Sequence, residues 1–257
     1  MNILKSILSS LAILSLMSAC GGAGSGSGAN SANAITAGGI WRGIDGNNNL
    51  PIEGVITEDG VFTFTESNGV VYAGTLTLSG ETFSGSFQGF TTDAATPFWD
   101  GSTHATGTLS GTVAAQSVLT VSVILTTDLG ATSTDKVQLK FDSLYNAGSS
   151  LAKLAGNYVD ESGTVYNIDA NGAIYGQSAT SGCVINGQVS VATAAYDVYR
   201  VSTTIANCTG NSSVQNGSTL SGLAVLDSAV NPVQAEVIVT GTDGSAQIGV
   251  VLNLSRT

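Results

Sequence analysis

One histidine, His104, stands in the 257 residues, so a Ser-His-Asp triad would have to use it. It ends the segment Pro97-Phe-Trp-Asp-Gly-Ser-Thr-His104, with Asp100 and Ser102 just upstream. A Ser-His-Asp triad needs the three groups aimed at one another, and neighbours on one loop with no Gly-x-Ser-x-Gly turn are not so aimed. His104 therefore reads as a solvated loop residue, and a single histidine excludes a two-histidine metal motif. Paired carboxylates could serve glycoside hydrolysis, but Asp160-Glu161 and Glu58-Asp59 are adjacent residues on expected turns and read as solvated. Asp169-Ala-Asn171-Gly172 opens like a calcium loop and lacks the distal glutamate, so it reads as a turn. No catalytic residue, metal ligand or cofactor is expected. The competing enzyme reading is a carboxylate-dependent envelope hydrolase, which requires two acids from separate loops to converge within about 5 to 10 Å beside a groove.

Cysteine chemistry is more informative. Lys5 and the apolar run Ile7 to Leu16 have the form of a secretory signal, too short to span a bilayer as a helix. Leu16-Met-Ser-Ala-Cys20-Gly21 follows and resembles the lipobox of bacterial lipoproteins. The resemblance implies that residues 1–19 are removed, that Cys20 is lipidated as the new N-terminus and, because Gly21 is no aspartate, that the protein is sorted to the outer membrane. Cys183 and Cys208 then remain as an even pair in an oxidising compartment, and a disulfide is expected.

The chain carries seven Lys+Arg against eighteen Asp+Glu, and losing Lys5 with the signal leaves 6 − 18 = −12. That sign repels nucleic acid and anionic headgroups. The expected partners are the membrane, reached through the N-terminal lipid, and a protein in the envelope or outside the cell. From Cys20 to about Ala37 the Gly-, Ser- and Asn-rich sequence buries too little apolar surface to fold and reads as a flexible tether.

These groups have to be positioned by strands, because no 3.6-residue period occurs and apolar residues alternate with polar ones in short runs. Strands are predicted near 39–43, 52–57, 61–66, 70–78, 82–90, 105–113, 118–126 and 135–142. A second set falls near 154–159, 163–168, 172–176, 182–191, 196–206, 218–226, 233–241 and 246–254. The second half echoes the first at an offset of about 112: Ile56-Thr-Glu-Asp-Gly-Val-Phe62 aligns with Ile168-Asp-Ala-Asn-Gly-Ala-Ile174, Thr108-Leu-Ser-Gly111 with Thr219-Leu-Ser-Gly222, and Trp41 loosely with Tyr158. Two tandem antiparallel domains are expected, at 38–142 and 154–257, joined through 143–153, where Leu151, Ala152, Leu154 and Ala155 suggest a helical turn. Eight sequential strands close most readily into an up-and-down barrel; a pair of β-sandwiches is the alternative.

Binding is the function class that survives, so the chain reads as an outer-membrane-anchored binding or structural module without catalysis. In the first domain the inward set, Phe62, Phe64, Tyr72, Leu76, Leu78, Phe83, Phe87, Leu109, Leu139 and Phe141, is bulky enough to predict a solid interior. Smaller inward residues in the second, Gly222, Ala224 and Ala235 beside Val189, Val191, Val237 and Val250, leave room for a small apolar ligand. Trp41, Phe98 and Trp99 are the candidate contact aromatics outside the core, with a plug across the barrel end as the alternative for Phe98 and Trp99.

Overall fold

The computed structural model describes residues 36–92, 97–210, 215–243 and 246–257; Cys20 and nearly all of the tether lie outside them. Sixteen strands form two closed antiparallel barrels among these residues. The first comprises β1 (Gly39–Ile44), β2 (Pro51–Ile56), β3 (Val61–Glu66), β4 (Val70–Ser79), β5 (Thr82–Thr91), β6 (His104–Ala114), β7 (Val118–Thr127) and β8 (Thr132–Asp142). The second comprises β9 (Gly156–Val159), β10 (Val165–Ile168), β11 (Ala173–Gln177), β12 (Val184–Val191), β13 (Tyr199–Ala206), β14 (Thr219–Asp227), β15 (Gln234–Asp243) and β16 (Ala246–Arg256). Each strand pairs with its sequence neighbours, and the ladder closes β1 on β8 and β9 on β16. Barrels, not sandwiches, are what the alternation encodes, and closure leaves no exposed edge.

The two barrels use the same local devices. Gly60 and Gly172, each just before a strand, sit at φ 84° and 83°, where a side chain would be strained. Gly60 O accepts from Leu76 N at 2.8 Å, and Gly172 O accepts from Val189 N at 2.7 Å. At the base of the first barrel the buried Trp41 donates its indole N–H to Ala37 O at 2.9 Å. Tyr158 does the same in the second, donating its hydroxyl to Leu154 O at 2.7 Å. The β9–β16 seam pairs only Ser255 with Val159 and Arg256 with Tyr158. Arg256 reinforces it by donating to the Tyr158 hydroxyl at 2.7 Å and to Lys153 O.

A short 3₁₀ turn (Ser143–Ala147) and α1 (Leu151–Leu154) connect the barrels, the latter capped by the Ser150 side chain. The outward faces of the barrels share an apolar joint of Ile40 and Val55 with Val198, Leu223 and Val225, centred on the fully buried Tyr145. Tyr145 stacks on Tyr196 at 4.6 Å and donates its hydroxyl to Glu58 at 3.0 Å. Beside it Arg200 of β13 grips Asp59 of the first barrel with bonds of 2.7 and 2.8 Å.

Asp197 is sealed into this joint, 1% exposed, its backbone N–H on Tyr145 O and its carboxylate accepting from Leu226 N at 3.1 Å. Burial pushes its pKa to about 7, against the pull of that N–H and of Lys153. An acid whose folded pKa is raised stabilises the fold while protonated, and that contribution is lost as pH rises from about 4 through 7. Asp197→Asn is therefore expected to be more stable than the parent at pH 8 by on the order of 2 kcal/mol and equal to it near pH 4, read from urea midpoints at the two pH values.

Candidate functional site

The interior of the first barrel departs from expectation. It is lined by the bulky residues anticipated, Leu78 and Phe141 excepted, and still encloses a cavity of about 360 Å³. Glycines on the inward face explain the difference. A Cβ on Gly111 would lie 2.7 Å from Phe83 Cζ, one on Gly74 would lie 2.9 Å from Phe62 Cζ, and one on Gly107 would overlap the Phe87 ring. Each ring lies down over a glycine of the neighbouring strand, so it coats the wall and leaves the axis open. Phe141 does not fill the centre either; it packs near the base, edge-on to Trp41 at 5.6 Å and to Tyr145 at 6.1 Å.

The second barrel encloses a larger cavity, about 670 Å³. Val189, Ala224, Ala235, Val237 and Val250 line it, as the small inward residues suggested. Gly222 does not line it; a Cβ there would overlap the backbone of Ile238. Tyr166, Ile168, Leu220 and Leu252 complete an apolar chamber whose polar lining is uncharged among the described residues, chiefly hydroxyls near one end: Ser162, Thr164, Ser178, Thr180, Ser181 and Thr209. Cys183 and Cys208, with Cα atoms 4.0 Å apart, join as a disulfide at this end, just beyond the last β12–β13 pair, Val184 with Ala206.

The mouth of the first barrel is chemically different. Odd strands end there and even strands begin, so Asp45 after β1, Glu66 ending β3 and Asp135 early in β8 meet at one rim with Asn47, Asn48 and Ser133. Asp45 is 8% and Glu66 4% exposed. Glu66 accepts the Tyr72 hydroxyl at 2.8 Å, and Asp45 accepts from Asn47 N at 2.9 Å. Burial raises the Asp45 pKa, and the hydrogen-bonded Asp135 carboxyl adds to it. Burial also raises that of Glu66 against the Tyr72 hydrogen bond, with Asp45 and Asp135 adding repulsion. None of the three was among the residues singled out from sequence. Strand order was the signal: in an up-and-down barrel the ends of odd strands share a rim with the starts of even ones.

Of the aromatics proposed as contacts, Trp41 is fully buried at the base and Phe98 is 6% exposed in the first core, so neither is a surface contact. Trp99 is 58% exposed and lines the first mouth. His104 pairs with Thr103 Oγ1 at 3.0 Å and lies 3.6 Å from Asp128. Asp100 is occupied by the Thr127 hydroxyl and the Ser102 backbone N–H, while Ser102 Oγ accepts from Leu129 N at 3.2 Å. No triad is built from these. Burial works against ionisation of Asp160, but hydrogen bonds from Ser162, Thr164 and Tyr166 outweigh it and hold its carboxyl below the usual range. Asp169 accepts the N–H groups of Asn171 and Ala173, each at 2.8 Å, as a turn residue. Among the described residues no group of three or more His, Cys, Asp or Glu is placed to hold a metal ion.

No protein-family model matches the chain, and no curated protein matches it. A solved structure titled a "putative outer membrane protein" from Bacteroides fragilis aligns over 87% of this chain and 98% of its own, at 12% identity and a TM-score of 0.28. Overlap of that degree carries no functional weight.

Two outcomes follow from the wall and the lip. Gly107→Ala is expected to destabilise the fold by about 1 to 3 kcal/mol, because the added methyl meets both the Phe87 ring and Ile124 O. Replacing both Cys183 and Cys208 by serine is expected to lose about 3 kcal/mol, measured by urea unfolding, with reductant producing a similar loss in the parent and none in the variant.

Proposed function

We propose that this is an envelope-tethered binding protein that carries a small apolar molecule in its second barrel and has no catalysis of its own. The observation that carries the proposal is the cavity of about 670 Å³, within the range of small-molecule sites, with an aliphatic chamber and an uncharged hydroxyl lip. Hydroxyls at the lip orient a carbonyl or hydroxyl on the ligand without charge selection, and the disulfide braces the strands that frame the entrance. The lipobox-like Cys20, outside the described residues, supports mooring to the outer membrane through a lipid, with the Gly/Ser-rich tether holding the barrels off the bilayer.

The hydrolase reading requires converging acids, and Asp45, Glu66 and Asp135 do converge. Behind them, however, the chamber is walled by Ile, Leu, Val and Phe side chains, which offer a sugar ring no hydrogen bonds. Binding is therefore preferred.

Native mass spectrometry of protein purified from its own envelope is expected to show an added mass that organic solvent removes and that Ala235→Trp, which fills the chamber, abolishes. An empty second barrel that also fails to take up a neutral apolar dye would count against carriage. Cys20→Ser is expected to shift the protein from the membrane fraction to the soluble fraction; unchanged fractionation would remove the anchor from the proposal.

A further inference from the structure

The first barrel offers a second binding site of opposite character. Its chamber is apolar in depth, lined by Phe62, Phe87, Leu119 and Val123 among others, while Asp45, Glu66 and Asp135 gather at the entrance. Among the described residues no lysine, arginine or histidine lines this cavity. Negative charge at the entrance is therefore not neutralised from within, and two of the acids are nearly removed from water. Two aromatic groups stand beside them: Tyr72, whose hydroxyl is directed at Glu66, and Trp99, the cavity-lining residue whose indole is more than half exposed. Carboxylates and aromatic faces share one preference, for an organic cation, which the negative face of an aromatic ring attracts. The only hydrogen-bond donors that the lining side chains contribute at this end are amides, hydroxyls and the Trp99 indole, so an anionic headgroup finds no counter-charge.

We propose that the first barrel binds a small amphiphile carrying a protonated amine, its apolar tail in the chamber and its ammonium at Asp45, Glu66 and Asp135. The chamber supplies affinity through buried apolar area, and the rim supplies selection by charge. The second barrel has the same topology with a cavity lining that is uncharged among the described residues, so the two barrels sort ligands by headgroup: neutral in one, cationic in the other. This site is separate from the cavity on which carriage in the second barrel rests, and it stands if that cavity proves empty.

Titration calorimetry of the purified protein with dodecylamine, dodecanol and dodecanoate, each below its micelle concentration, tests the proposal. At pH 7 dodecylamine is expected to bind at least about tenfold more tightly than either of the others, the factor expected for about 1.4 kcal/mol of charge recognition. Glu66→Gln with Asp135→Asn is expected to reduce that preference to within about threefold while leaving dodecanol binding unchanged. Val123→Trp, filling the first chamber, is expected to abolish amine binding, and Ala235→Trp, filling the second, to leave it intact. Acidification is expected to weaken amine binding in the parent as Asp45 and Glu66, whose carboxyls burial pushes above the usual range, take up protons, with Tyr72 neutral throughout. The three headgroups binding alike, no binding of the amine, or loss of the amine site in Ala235→Trp but not in Val123→Trp would each overturn the assignment. The headgroup comparison uses the parent protein alone, so a variant that fails to fold does not leave the question open.

Discussion

Everything in this protein depends on closing an eight-stranded sheet around side chains that do not all fit upright. An up-and-down barrel satisfies its ladder only if every strand keeps both neighbours, which fixes the radius before the interior is filled. Bulky residues on several inward positions of the first barrel would then collide across the axis. The collision is avoided because Gly74, Gly107 and Gly111 provide floor for Phe62, Phe87 and Phe83 on adjacent strands. The rings rest against the wall, bury apolar area there and leave the axis as a chamber. A cavity in an aromatic-rich barrel is thus a consequence of how rings and glycines are paired, and the second barrel reaches the same end with alanine and valine.

The bases are closed and the mouths differ, and that asymmetry organises function. Trp41 and Tyr158 seal the bases with the same backward hydrogen bond to the carbonyl four residues earlier. At the mouths each barrel uses a tyrosine from a different strand in its own way. Tyr166 donates to Asp160, which does not itself line the cavity and whose charge is also held by the N–H groups of Ser162 and Thr164. Tyr72 donates to Glu66, which faces the chamber together with Asp45 and Asp135. One topology therefore presents a neutral lip and an acidic lip.

Between the barrels the outward faces carry apolar residues that an isolated barrel would expose, and the joint built on Tyr145 covers them. Of the adjacent acids expected to be solvated on a turn, Glu58 is half-buried and accepts the Tyr145 hydroxyl, while Asp59 stays exposed and pairs with Arg200 across the barrels. For Asp59 the Thr57 hydroxyl and the Arg200 guanidinium hold the carboxyl below its usual range. Their role is structural and spans the barrels, which neighbouring position in the sequence did not reveal.

Local pattern was sufficient for the architecture. Period-two alternation placed sixteen strands, the Asp59-Gly60 and Asn171-Gly172 turns were readable from the positive φ they require, and the short helical turn near Leu151 was readable from the loss of alternation. Cys183 and Cys208 were readable as a pair because they are the two cysteines left once Cys20 is assigned to the lipobox, and the predicted hairpin they flank fits that. These are properties of neighbours, and neighbours are what a linear sequence displays. The chamber in the first barrel and the acids at its mouth were not readable in this way, nor was the burial of Trp41, whereas that of Phe98 agrees with the plug named as the alternative. Whether Phe87 points at an axis or lies over Gly107 depends on the register between two strands, and Asp45 meets Asp135 only because β1 closes on β8. Volume and electrostatic field at a rim are sums over residues that closure alone brings together, so the tertiary structure decided them.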